Sequence, residues 1–113
     1  MANIGGDALR GHLESLVLSA LRRGEAHGFE ILHRLEDAGS GLLRLKEGSL
    51  YPALYRLEAA KLIHGQWETD SSRRGARRRI YRLTQKGHRR LDEARGEFRQ
   101  FASVIGGILG VTA

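Results

Sequence analysis

Residues 47–58 read EGSLYPALYRLE, and the placement of this stretch governs the interpretation of everything around it. At about 100° per residue, Leu50, Ala53, Leu54 and Leu57 gather on one face of a helix, while Ser49, Tyr51, Pro52, Tyr55 and Arg56 spread over the other. Pro52, the single proline of the chain, is compatible with a helix if it lies in the first turn, where backbone N–H groups lack an intrahelical partner anyway. The helix is therefore predicted to start between Glu47 and Ser49. Its outward face carries two phenols and a guanidinium, a set of donors and flat rings that calls for a partner outside the chain.

On the N-terminal side, Leu9, Leu13, Leu16, Val17, Ala20 and Leu21 recur at three- and four-residue steps and predict a first helix that stops near Gly24. A second helix follows, with Phe29, Leu32 and Leu35 on one stripe, until Gly39, Ser40 and Gly41 break it. Leu43 and Leu45 alternate with Arg44 and Lys46, which suggests a brief extended piece leading into the third helix.

On the C-terminal side, Ile63 to Thr69 and Arg79 to Leu83 read as two strands. The small and polar residues 70–76 between them suit a hairpin tip. Arg73, Arg74, Arg77, Arg78, Arg79 and Arg82 crowd this hairpin with no acidic residue among them. Thr84 is a suitable N-cap for a last helix in which Leu91, Ala94, Phe98, Phe101 and Ile105 follow alternating three- and four-residue steps. Such a seam wants another helix, either from a second copy or from a fold-back onto its own domain. Gly106, Gly107 and Gly110 predict fraying at the end, and Trp67, at an alternating strand position, is expected to pack in the core or an interface.

Composition narrows the chemistry. Nineteen Lys and Arg against 13 Asp and Glu give a formal charge of +6, which favours a polyanionic partner, whether DNA, RNA or an anionic membrane surface. The absence of cysteine excludes disulfides, Cys-based zinc sites and thiol nucleophiles. The five histidines, His12, His27, His33, His64 and His88, form no helical four-residue pair, so no metal is expected. No nucleophile setting or phosphate loop is recognisable, and neither an enzyme nor a cofactor is expected. The N-terminus lacks the pattern of a secretion signal, and the longest apolar run is too short to span a bilayer. A cytoplasmic protein with no membrane partner is the expectation.

The order helix, helix, short strand, helix, strand, basic hairpin, strand, helix fits a mainly α chain with a small β-hairpin: a winged helix-turn-helix over residues 1–83 and a C-terminal dimerisation helix over 84–113, with a frayed tail. In that architecture the third helix enters the major groove and the hairpin, the wing, lies along the adjacent backbone. The deep, narrow groove of an RNA helix would not admit such a helix, which disfavours structured RNA. A module that keeps this fold but turns its basic hairpin to an acidic protein is the rival reading.

The stretches LRGHLESLVLSALRRGEAHGFEILHRLE (9–36), EGSLYPALYRLEAAKLI (47–63) and RRRIYRLTQKGHRRL (77–91) resemble the PadR family of transcriptional regulators. With one C-terminal helix the chain is similar to the shorter branch of that family. The resemblance implies a homodimeric repressor of double-stranded DNA, binding a pseudo-palindromic operator. Its recognition helix is expected to use Lys46, Ser49, Tyr51, Pro52, Tyr55 and Arg56, and its wing Arg73, Arg74, Arg77, Arg78 and Arg79. Leu9, Leu13, Leu91, Ala94, Phe98, Phe101 and Ile105 are the expected dimerisation residues. A small-molecule effector is implied as well, but no motif carries its identity or its site.

Overall fold

The computed structural model describes residues 4–69 and 77–111. A 3-10 turn at Gly6–Leu9 leads to α1 (Leu13–Leu21), then β1 (Ala26–His27), α2 (Gly28–Ala38), α3 (Glu47–Ala59), β2 (Ile63–Trp67), β3 (Arg79–Leu83) and α4 (Gln85–Leu109). The strands form one antiparallel sheet in the order β1-β3-β2. Register is fixed by Gly65 opposite Tyr81 and Trp67 opposite Arg79, and the hairpin continues one step further through Glu68 N–H to the Arg78 carbonyl at 2.7 Å.

Three helices and the sheet share one core. Val17, Leu18 and Leu21 of α1 meet Ile31 and Leu35 of α2, and Leu50, Leu54 and Leu57 of α3, with Ile63 and Tyr81 closing the sheet side. The apolar face expected of residues 47–58 is the buried one: Leu50, Ala53, Leu54 and Leu57 are each at most 1% exposed. Burying a leucine in this way contributes about 2 kcal/mol, so the outward set Ser49, Tyr51, Pro52, Tyr55 and Arg56 is left outside by the demands of the core.

Several expectations change. The first helix begins at Leu13, because Gly11 at φ +85° turns the chain after the 3-10 turn, and it ends at Leu21 rather than near Gly24. The third strand of the sheet is Ala26–His27, not the alternating stretch 43–46. Two residues are too short for any period to be read; Ala26, opposite Tyr81 in the register, is buried. Leu43 forms only an isolated parallel bridge with Ile4. Pro52 is the sixth residue of α3, past the first turn. The carbonyl of Gly48 thereby loses its usual i+4 donor, and since Gly48 and Pro52 are both exposed, solvent can take that place.

Helix α4 starts as expected, with Thr84 Oγ1 accepting from Gly87 N–H at 3.0 Å. The helix runs through Gly106 and Gly107 to Leu109. Gly110 occupies the left-handed cap position, and Val111 N–H returns to the Gly106 carbonyl at 2.7 Å, the pairing of a Schellman stop. No helix among the described residues is long and apolar enough to cross a membrane.

Candidate nucleic-acid interface

The exposed face of α3 is built by its neighbours. Lys46, the N-cap, is extended at φ −103° and ψ 144° and carries its side chain outward. Gly48, Pro52 and Tyr55 form the crest, and Tyr55 projects furthest, at 78% exposed. Tyr51 leans to one side against the first residue of α2. A Cβ at Gly28 would lie 2.8 Å from the Tyr51 hydroxyl oxygen, so the phenol occupies the space that any other residue at 28 would need. On the other side Arg56 turns back to α1, its Nε donating to Glu14 Oε1 at 2.7 Å. The six residues expected on this element therefore separate into a crest and two flanks.

The hairpin arginines are less uniform than their sequence suggests. Arg79 donates to both carboxylate oxygens of Glu58, the Nε contact being 3.3 Å, and its guanidinium carbon lies 5.2 Å from the centre of the Trp67 ring. The hydrogen bond to Glu58 is the main cause of the upward shift of its already high pKa. Arg78 contacts Glu68 at 3.3 Å and lies 2.8 Å from His27 Nε2. Arg77 donates to the Glu68 carbonyl at 3.3 Å and is exposed. The acidic partners come from the end of α3 and from the opposite side of the hairpin, distant in sequence and adjacent in space. Arg73 and Arg74 lie outside the described residues. Trp67 is 51% exposed and not in the core: it shares the inward face of β2 with Ile63 and Gly65 but lies at the end of the strand, past the core, where Arg79 covers it.

The C-terminal seam divides in two. Leu91 and Ala94 are 3% and 7% exposed and pack within their own protomer. Phe98, Phe101 and Ile105 lie on the exposed continuation together with Val104, Ile108 and Leu109. His12, which the periodicity did not single out, meets Phe98 edge-on at 5.7 Å and Phe101 at 6.3 Å, joining the start of α1 to α4. Leu9 and Leu13 face a depression beside Ser49 and Arg56. Arg34 was also missed. It donates to the carbonyls of Ala20 at 3.0 Å, Gly24 at 2.8 Å and Glu25 at 3.3 Å, closing the end of α1, and no spacing rule could have found these backbone partners.

Three helices around a short sheet, with an outward-facing third helix beside a β-hairpin and a trailing helix, define a winged helix-turn-helix protein. The sequence matches the Transcriptional regulator PadR-like family over residues 17–93, and the chain belongs to that family. A transcriptional regulator of Mycobacterium tuberculosis is 36% identical over 84 residues, 74% of this chain and 73% of its own. The solved structure of a transcriptional regulator from Clostridium thermocellum superposes with a TM-score of 0.81 at 28% identity, covering 90% of this chain and 97% of that one. Bacillus subtilis PadR, solved in complex with operator DNA, shares the fold at 23% identity and a TM-score of 0.63, over 72% of this chain and 45% of that one.

Proposed function

We propose that this PadR-like regulator binds duplex DNA as a cytoplasmic homodimer and represses transcription by occluding a promoter. The observation that carries the reading is the crest of α3, where Tyr55 stands clear of the core between two flanks rich in guanidinium groups. A helix presented in this way suits the major groove, where phenol and hydroxyl groups meet base edges and thymine methyls. The hairpin, through Arg77 and its neighbours, would follow the phosphate backbone. The fold shared with Bacillus subtilis PadR, which binds operator DNA, supports the placement.

Dimerisation would use the exposed part of the α4 seam, Phe98, Phe101 and Ile105, in a helix of 25 residues that extends well past the point where Leu91 and Ala94 dock it. An apolar stripe of that length is an association surface. Residues 1–83 would then act as the DNA-binding unit and 84–113 as the dimerisation element. A two-fold dimer reads a pseudo-palindrome with half-sites about one helical turn, or a small multiple, apart. Release would follow from a small-molecule effector that prefers a dimer in which the two recognition helices are out of register.

Selection of bound fragments from a random duplex pool tests the reading. Enrichment of a two-fold symmetric site is expected, and Tyr55→Ala should reduce the preference for that site over random duplex by about 10- to 100-fold. Recovery of no DNA at low ionic strength by the wild-type protein would overturn it.

A further inference from the structure

Beside the recognition helix lies an open depression of about 690 Å³ that the α3 crest and the hairpin leave unused. Its walls come from three places: the N-terminal arm and 3-10 turn, the segment 44–46, and the Ser49 and Arg56 side of α3. Arg10, Arg44, Lys46 and Arg56 all line it, and no acidic residue does among the described side chains. The arm is held against the segment by two backbone hydrogen bonds, Ile4 N–H to the Leu42 carbonyl at 2.6 Å and Arg44 N–H to the Ile4 carbonyl at 2.7 Å. Four basic side chains are thus brought together from residues up to 46 positions apart in sequence, a concentration of positive charge suited to a polyanion.

We infer that this depression seats a sugar-phosphate strand of duplex DNA, with Arg10, Arg44 and Lys46 supplying its phosphate contacts. The inference rests on the DNA-binding reading and extends it to the N-terminal arm. Geometry favours a strand over a free small anion, because the depression is open and runs directly into the α3 face carrying Ser49. A helix laid in the major groove has a phosphate backbone along each flank. The hairpin lies on the Tyr51 side of α3, and the depression lies on the opposite side, where the second strand would pass. Arg56 is committed to Glu14 at 2.7 Å, whereas Arg44 and Lys46 have no acidic partner among the described residues. Phosphate contacts of this kind fix register and supply affinity without reading sequence.

The test is the salt dependence of binding to a random-sequence duplex and to the selected site, for the wild-type protein and for Arg10→Gln, Arg44→Gln and Arg44→Lys. Each glutamine variant is expected to lower the slope of log K against log salt by about one, equally for both duplexes, and Arg44→Lys to restore it. Folding is checked by circular dichroism and oligomeric state by sedimentation. A folded Arg44→Gln protein of wild-type oligomeric state and unchanged slope would overturn the inference, with the DNA-binding reading intact because the wild-type protein still binds. A loss of affinity for the selected site alone would also overturn it, since that is the signature of a base contact.

Discussion

Arg56 on the recognition helix is held by Glu14 on the first helix, Nε to Oε1 at 2.7 Å, across 42 residues of sequence. The contact orients a cation at the edge of the proposed DNA surface and at the same time screens it. Both groups are about half exposed, so the pair adds little to stability. Its consequence lies in binding. Glu14→Gln removes a carboxylate close to the DNA and releases Arg56, and the expected result is tighter binding to all sequences, with a salt slope steeper by about one. Fluorescence anisotropy with random duplex at several salt concentrations measures this, and an unchanged slope would show that Arg56 faces solvent in the complex.

The exposed half of the α4 seam should set the oligomeric state. Ile108 is 77% exposed, and Ile105 has no part in the core cluster, so Ile105→Asp and Ile108→Asp together leave the protomer fold untouched. The double variant is expected to sediment as a monomer with wild-type helicity and to lose DNA affinity by at least about tenfold, since one of two half-sites is no longer held on the same particle. A variant that remains dimeric would move the interface elsewhere.

Arg34 should matter for stability through the backbone carbonyls that it holds. Its three carbonyl acceptors at the end of α1 lose a charged donor in Arg34→Ala, and destabilisation of about 1–2 kcal/mol is expected, seen as a lower urea midpoint at unchanged slope. Arg34→Lys should recover only part, because an ammonium cannot span three acceptors with a planar fork. Full recovery by lysine would reduce the interaction to charge alone.

Tyr81 gives a pH dependence of defined sign. Burial raises its phenol pKa above the ordinary value of about 10, only partly offset by nearby Arg79. A folded-state value above the unfolded one stabilises the fold fully below the unfolded pKa, and this contribution is lost as pH rises through the folded value. The wild-type protein should therefore lose more stability than Tyr81→Phe between about pH 9 and pH 11. Parallel urea midpoints over that range would contradict a buried, neutral phenol.

Much of the architecture is legible in the residues. Helix α3 could be placed from the step pattern of Leu50, Leu54 and Leu57, since a 13-residue amphipathic helix has one way to hide its leucines. Both hairpin strands and the Thr84 cap follow from equally local signals. What failed locally is informative. Ala26–His27 becomes a strand only through its pairing with Ile80 and Tyr81, partners that no local window of sequence contains. Trp67 illustrates the limit: alternation puts it on the face of the buried Ile63 and Gly65, but only the packing of whole elements decides that the core ends before the strand does.

Local pattern was enough to specify which residues turn inward and where helices and strands fall, because burial periodicity and capping act over a few residues. Charge partners lay beyond its reach, because ion pairs form between side chains brought together by the packing of whole elements. The run of arginines around the hairpin is a uniform cationic block in sequence. Folded, it has Arg79 on Glu58 and Arg78 on Glu68, while Arg44, which no pattern singled out, stands with Lys46 beside the recognition helix.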